Sequence, residues 1–182
     1  MSSAAVRVEA VDPLPLRDEL RGVHRAALGA GALSDEWAER LPRHTAREGF
    51  VFLVARDGDA IAGFGYGYTG AYGQWWTERV AQALTRAQRE EWLDLPHFEV
   101  VELHVRPSVQ RRGIGSTLLA QLLSRQRHRR AVLTTQAGSR PARRFYAKNG
   151  WEELAEVDFG RGYPPYIALG KRIRYLPATD AT

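Results

Sequence analysis

The stretch Val105–Leu119, VRPSVQRRGIGSTLL, joins a strand-like apolar run to a helical pattern. The run before it, Phe98–Val105, reads FEVVELHV and predicts a buried strand, and apolar residues recur at helical spacing from Ile114 onward. A helix that begins just after a strand presents unpaired backbone N–H groups and the positive end of its dipole. Gly113 and Gly115 lack the Cβ atoms that would keep a ligand away from those amides. The stretch therefore predicts a bound phosphate or pyrophosphate.

The side chains around the two glycines suit the same ligand. Arg111 and Arg112 supply positive charge, and Ser116 and Thr117 supply hydroxyl donors. An alternative stays open, in which the glycines only form a tight turn.

Two well-known phosphate-binding motifs do not fit this stretch. A P-loop requires GxxxxGK[ST], and no lysine stands here. A dinucleotide fingerprint requires GxGxxG, but Leu118 occupies the third glycine's place and the later segment LTTQ offers no ribose-binding acid.

A third phosphate-binding motif does match. The segment QRRGIG, residues 110–115, resembles the Q/R-x-x-G-x-G/A signature of the GCN5-related N-acetyltransferase (GNAT) superfamily, and the usual V-x-P precedes it. Residues 133–151, LTTQAGSRPARRFYAKNGW, resemble the next strand and helix of that family, with its closing FY-x-x-x-G-[FW]. The order of predicted elements over roughly residues 4–173 is also similar to the family's.

The resemblance implies acetyl-CoA as co-substrate and acetyl donor. It assigns the pyrophosphate loop to Arg111, Arg112, Gly113, Ile114, Gly115 and Ser116. It assigns backbone pairing with the pantetheine arm to Leu103, His104 and Val105. Such pairing needs a strand edge, which in this family arises where two parallel strands, here VELHV and AVLTTQ, splay apart.

The resemblance also suggests an acid for the chemistry. Tyr146 matches the family tyrosine whose hydroxyl lies near the CoA sulfur, where a phenol can protonate the leaving thiolate. A core aromatic role beside Phe145 is the alternative. The backbone N–H of Val105 is the expected oxyanion donor.

Three residues are candidates for the base that deprotonates the acceptor. Alternation places Glu102 and His104 on one face of their strand, and two titratable groups there are costly unless they line a cavity. Glu102 is the first choice, His104 the second, and Glu99 the third because a family bulge would change the alternation. A water relay and a structural role both stay open.

One position departs from the family pattern. Ser139 stands where the family often has an asparagine that bonds the pantetheine. Its hydroxyl could replace that contact in part, but we expect it to cap the following helix.

The fold class that these features predict is α/β, a GNAT-like, mostly antiparallel mixed sheet with splayed central parallel strands and helices on both faces. Residues 1–182 are expected to form a single domain. Ser34 is the expected N-cap of the second helix, 57–59 a hairpin turn, and Thr77 to about Trp92 one helical stretch. In the strand AIAGFGYGY, glycines share one face, which predicts either a close approach to the backbone or a bulge.

The segment of about residues 69–97 is an insertion relative to the family. Its aromatic and acidic side chains could bind a cationic amine through cation–π contacts and ion pairs, or could simply pack and be solvated. These side chains are Tyr72, Trp75, Trp76, Trp92, Glu78, Glu90, Glu91 and Asp94. The expected acceptor is an amine of a small molecule or a peptide.

Composition excludes several chemistries. Without cysteine there is no disulfide, thiolate zinc site or cysteinyl acyl-enzyme, and five histidines without ligand spacing predict no metal site. The net charge of +5 comes from dispersed arginines, so we expect no nucleic acid partner. The sequence shows neither a membrane span nor a signal peptide, which favours the cytoplasm, and a homodimer stays open. A catalytically idle CoA-binding module and a nucleic-acid-binding domain are the alternative functions.

Overall fold

The computed structural model describes residues 6–29 and 33–173, which contain strands and helices in the predicted order. The strands are β1 Arg7–Ala10, β2 Val51–Asp57, β3 Ala60–Gly70, β4 His97–Val105, β5 Arg130–Gln136, β6 Glu152–Val157 and β7 Tyr166–Arg172. The α-helices are α1 Arg17–Leu28, α2 Ser34–Thr45, α3 Trp75–Ala83, α4 Arg86–Trp92, α5 Ile114–Ser124 and α6 Arg140–Lys148, and a 3-10 turn covers Pro107–Val109. The chain divides into two compact units. Unit 1 comprises the residues up to 69 together with residues 100–126, and unit 2 comprises residues 70–99 together with those from 127 onward.

Unit 1 is built on an antiparallel arrangement of β1, β2 and β3. Its hairpin turns at Gly58, whose φ of +63° is a left-handed conformation that glycine adopts without strain. The predicted turn at 57–59 is therefore confirmed. The amphipathic helices α1 and α2 bury their apolar faces, including Leu20, Val23 and Leu41, with the aromatic side chains of β2 and β3.

The glycines of β3 allow the C-terminal half of β4 to approach very closely. A Cβ atom at Gly63 would lie 2.6 Å from the backbone oxygen of His104, and one at Gly65 would lie 3.0 Å from a methyl group of Leu103. The backbone N–H of Arg106 then donates to the oxygen of Ala62 at 2.8 Å. The close approach predicted from the glycine pattern is thus made by a neighbouring strand of the same sheet.

Unit 2 contains the one parallel pairing found in the described residues. The first residues of β4 pair with β5 at Phe98–Ala131 and Glu99–Val132, while β5 pairs antiparallel with β7 and β7 antiparallel with β6. The strand order is β1-β2-β3-β4-β5-β7-β6. The predicted α/β class, with a mostly antiparallel mixed sheet, is confirmed, and the short parallel ladder agrees with strands that pair only at their beginnings.

The insertion forms two helices where the sequence analysis expected one helical stretch. Helix α3 ends at Ala83, and α4 begins after Thr85, whose hydroxyl accepts from the backbone N–H of Gln88 while the Gln88 side chain accepts from the backbone N–H of Thr85. This reciprocal capping box stabilises a new helix start, and the T-x-x-Q spacing was its signal in the sequence. No helix in the described part of the chain is long and apolar enough to cross a membrane.

The close contact between β3 and β4 yields a stability prediction. We expect Gly63→Ala to lower the free energy of unfolding by about 1–3 kcal/mol, because the new methyl group meets backbone that cannot move aside as a side chain can. Thermal or urea unfolding of both proteins would measure this. Gly138→Ala is the control, since a Cβ there meets nothing within 4 Å. Equal stability of the Gly63→Ala variant and the wild type would contradict the contact.

Candidate active site

The β4–α5 loop turns twice through left-handed backbone. Gly113, the residue that precedes α5, has φ +81°, and Arg111 has φ +62°. A left-handed conformation costs a non-glycine residue about 1–2 kcal/mol, so the surrounding loop must hold Arg111 in place. Turns of this kind gather neighbouring N–H groups into a concave, anion-binding surface.

The start of α5 leaves room for a ligand at its amides. The N–H of Thr117 makes the first helical bond, to the oxygen of Gly113 at 3.0 Å, so the amides of Ile114 and Gly115 lie in the first turn, before the helical ladder begins. A Cβ atom at Gly113 would meet nothing within 4 Å. This backbone geometry is compatible with a phosphate site, which stays a prediction.

Two side chains assigned to that site already have partners. Arg112 donates from Nη1 to Oδ2 of Asp57 at 2.6 Å, and the Thr117 hydroxyl donates to the backbone oxygen of Gly113 at 3.2 Å. The charge of Arg112 is thus shared with a carboxylate of the β2–β3 turn. Arg111 is exposed and Ser116 is half-buried.

Next to the loop, β4 contributes to a cluster of three titratable side chains, of which His24 is buried and Glu102 and His104 are half-buried. Nε2 of His104 lies 2.5 Å from Oε2 of Glu102, and Nε2 of His24, in α1, lies 4.0 Å from the same oxygen. The rings of His24 and His104 meet edge to face, with centroids 4.8 Å apart. The structure therefore brings together the first two base candidates and adds His24, which the sequence analysis did not select.

Burial shapes the charges of this cluster. Desolvation, the largest single influence, would raise the pKa of Glu102, but the hydrogen bond with His104 and the charge interactions with His104, His24 and Arg40 together outweigh it, and the pKa of the carboxyl is lowered. Desolvation also lowers the pKa of His24 to about 4. At neutral pH a carboxylate therefore lies beside a neutral imidazole.

His24 is held by two residues of α2. Its Nδ1 lies 2.8 Å from Oγ of Ser34, and its ring stacks on Trp37 with centroids 4.9 Å apart. The prediction that Ser34 caps α2 is wrong, since Leu33 is the N-cap residue and the Ser34 hydroxyl faces His24 instead. The spacing of His24 four residues after Leu20, on the apolar face of α1, was the signal for a buried histidine.

A second series of hydrogen-bonded side chains, Trp37–Tyr66–His44, lies in the core of unit 1. The indole N–H of Trp37 donates to the hydroxyl of Tyr66 at 3.1 Å, and that hydroxyl lies 2.8 Å from Nδ1 of His44. Burial raises the pKa of Tyr66 well above its usual value and lowers that of His44 to about 4. Both groups are therefore neutral at physiological pH.

The remaining candidates lie in unit 2. Glu99 pairs with Val132 and is 2% exposed, and Tyr146 lies in α6 with its ring edge to face against Phe145 and Trp151. Ser139 occupies the N-cap position of α6, as expected, but its side chain makes no capping hydrogen bond.

Much of the insertion's aromatic and acidic content is used for packing. Trp92 is 2% exposed with the Arg172 guanidinium over its ring, and Trp76 donates to the hydroxyl of Thr134 at 3.1 Å. Several acids are ion-paired or hydrogen-bonded: Glu90 with Arg86, Glu91 with Arg172, Asp94 with Tyr72 and Glu78 with the backbone of Gly73. Trp75 keeps 54% of its surface exposed. An amine-binding role for this segment stays a prediction.

The lowered pKa of His44 predicts how stability depends on pH. The unfolded chain takes up a proton at His44 near its usual pKa of 6.5, whereas the folded chain does so only near pH 4. The contribution of His44 to stability is therefore complete above pH 6.5 and is lost as the pH falls from 6.5 to 4. We expect the melting temperature of His44→Gln to fall less over that window than that of the wild type. If the melting temperatures of the two proteins fell by the same amount between pH 6.5 and pH 4, the lowered pKa of His44 would be contradicted.

The sequence and the fold are similar to those of known proteins. The sequence profile of the acetyltransferase (GNAT) family matches residues 16–151. The chain is 33% identical over 116 residues to the GCN5-like protein acetyltransferase Rv2170 of Mycobacterium tuberculosis, which covers 60% of this chain and 56% of that protein. The chain thus spans little more than half the length of this relative.

Solved structures share the fold at low sequence identity. A GNAT-family structure from Desulfovibrio desulfuricans superposes with a TM-score of 0.70, 19% identity, and coverage of 93% of this chain and 100% of that one. The structure of yncA from Salmonella typhimurium, solved with its cofactor acetyl-CoA, gives a TM-score of 0.61, 18% identity, and coverage of 98% and 99%. The profile match over most of the sequence, with the family loop folded as described above, shows that this chain belongs to the acetyltransferase (GNAT) family.

Proposed function

We propose that the protein is an N-acetyltransferase that transfers the acetyl group of acetyl-CoA directly to an amine. The observation that carries the proposal is the β4–α5 loop, in which Gly113 opens a left-handed turn onto the first amides of α5. A diphosphate is the ligand that such a turn attracts. The acetyl-CoA bound to the Salmonella structure of the same fold supports coenzyme A as its source.

In this proposal the loop binds the pyrophosphate through backbone groups. The amides of Gly113, Ile114 and Gly115 donate to phosphate oxygens, and the exposed Arg111 adds charge. Arg112 has a smaller role than the family motif implies, because Asp57 already accepts its hydrogen bond. Backbone groups of Leu103, His104 and Val105 pair with the pantetheine arm, as in the family.

Glu102 is the proposed base. The acceptor amine arrives as an ammonium and must lose a proton before it attacks the thioester. The Glu102 carboxylate is ionised and held by His104 at 2.5 Å, so it can take that proton directly or through water. His104 stabilises the carboxylate and shares the proton afterwards. Glu99, which is buried, is the weaker candidate.

Tyr146 is the proposed acid, and the backbone N–H of Val105 the proposed oxyanion donor. Both assignments rest on the family motif. A phenol protonated at neutral pH can protonate the departing thiolate of coenzyme A. The chain has no cysteine to carry an acetyl group, so amine and thioester react in a ternary complex.

The acceptor class is an amine of a small molecule, a peptide or a protein. The name of the mycobacterial relative, a protein acetyltransferase, favours the last of these. An ionised Glu102 suits a cationic acceptor, because the carboxylate first attracts the ammonium and then removes its proton.

The loop proposal predicts the effect of one backbone change. We expect Gly113→Ala to weaken coenzyme A binding by about 10-fold or more, because a methyl group at φ +81° strains the turn and obstructs its amides. Isothermal titration calorimetry would measure the affinity. Gly160→Ala is a matched control, with a φ of +96° and open space around its Cβ, and should bind coenzyme A as the wild type does. Equal affinities for both variants would contradict the loop's role.

The chemistry is tested with acetyl-CoA and a panel of polyamines, aminoglycosides and lysine peptides. We expect the wild type to acetylate at least one amine, with Glu102→Gln and Tyr146→Phe each reducing kcat by about 100-fold or more. Coenzyme A affinity should stay unchanged in both variants, which separates catalysis from binding. Wild-type protein that binds coenzyme A but acetylates no amine would instead indicate a catalytically idle CoA-binding module.

A further inference from the structure

The cluster of His24, Glu102 and His104 carries the ligand set of a metal site. The three side chains offer two imidazole Nε2 atoms and one carboxylate oxygen, all within 4.8 Å of one another. Two histidines and one carboxylate, with an open fourth position, form a set that zinc accepts. The sequence analysis predicted no metal site because His24 lies about 80 residues from the other two and no spacing motif connects them.

The distances are close to those that one ion needs. Each zinc–nitrogen or zinc–oxygen bond is about 2 Å long, so two ligand atoms on the same ion lie at most about 4 Å apart. Nε2 of His24 lies 4.0 Å from Oε2 of Glu102, and Nε2 of His104 lies 2.5 Å from that oxygen. The whole set extends to 4.8 Å, which exceeds the limit by less than about 1 Å. An ion would lie between His104 and Glu102 in place of their hydrogen bond, and side-chain adjustments of about 1 Å would complete the set.

The surroundings of His24 are those of an oriented ligand. Metal-bound histidines usually donate their other ring N–H to a neighbouring acceptor, which fixes the ring and its tautomer. Nδ1 of His24 lies 2.8 Å from the Ser34 hydroxyl, and Trp37 stacks on the ring. In the tautomer in which Nδ1 donates to Ser34, the lone pair on Nε2 faces the Glu102 carboxylate. The Glu102 side chain keeps 21% of its surface exposed, which leaves a path for an ion.

We propose that His24, Glu102 and His104 bind one zinc ion, and that zinc binding and proton acceptance by Glu102 exclude each other. Two imidazoles favour zinc over magnesium or calcium, which prefer oxygen ligands. The second half of this inference rests on the proposed function, because zinc would bind the same Glu102 carboxylate that we propose as the base. The site is therefore inhibitory.

The experiment starts with binding and needs no acceptor. Full-length protein, freed of metal with a chelator, is titrated with zinc chloride by calorimetry and, in parallel, with magnesium chloride. Cobalt(II), which reports four-coordinate geometry by its visible absorption, is added separately. We expect one zinc ion per chain, no magnesium binding and a four-coordinate cobalt spectrum.

Variants then locate the ion. Removing a ligand in His24→Gln, His104→Gln or Glu102→Gln should weaken zinc binding by more than about 10-fold, and Ser34→Ala, which only orients His24, by about 10-fold. His44→Gln is the matched control, a buried histidine of the same unit outside the set, and should bind zinc as the wild type does. Circular dichroism checks each variant's fold. If His24→Gln does not fold, the near-isosteric Glu102→Gln and the wild-type titration decide.

The outcomes separate this inference from the proposed function. Absence of stoichiometric zinc binding by the wild type overturns the site, as does binding that persists unchanged in the ligand variants or is lost in His44→Gln. Zinc binding with the predicted variant pattern supports the site even if no amine is acetylated. Where an acceptor is found, turnover that continues at saturating zinc overturns the mutual exclusion, and turnover that stops and returns with chelator supports it.

Discussion

The close contact between the glycines of β3 and the backbone of β4 is the constraint on which the candidate site depends. Any side chain at Gly63 would displace the carbonyl group of His104, and with it the strand that carries Glu102 and leads into the β4–α5 loop. A strand interior with several glycines is intrinsically weak. Here that weakness is offset by a neighbouring strand held at a short distance, so the glycines fix the position of Glu102, the proposed base, relative to the β4–α5 loop.

Burying several polar groups in unit 1 is the second requirement. A carboxylate, three histidines and a tyrosine in or beside an aromatic core would each be destabilising without partners. The structure supplies partners in two chains, Ser34–His24–Glu102–His104 and Trp37–Tyr66–His44. Burial lowers the pKa of His24 and of His44, so both side chains are neutral at physiological pH. Glu102, in contrast, stays ionised although it is partly buried.

The fold and the loop could be predicted from the sequence because both depend on local patterns. Strand alternation, the turn at Gly58 and the spacing of Gly113 and Gly115 each act within a few residues. The partners of the site residues could not be predicted in this way, because they come from distant segments of the sequence. Ser34 has the sequence features of a helix cap, but its hydroxyl contacts His24 of α1 instead. Asp57 accepts a hydrogen bond from Arg112, which is 55 positions away in the sequence. The break between α3 and α4 is local, and the capping box of Thr85 and Gln88 is its signal in the sequence.

The Trp37–Tyr66–His44 chain also has a direction. An indole nitrogen only donates, so the phenol of Tyr66 accepts from Trp37, and we assign its own hydrogen to Nδ1 of His44. A neutral imidazole that accepts at one nitrogen carries its hydrogen on the other. Any group that approaches Nε2 of His44 therefore meets a donor, so carbonyl or carboxylate oxygens are attracted there while an ammonium group is turned away.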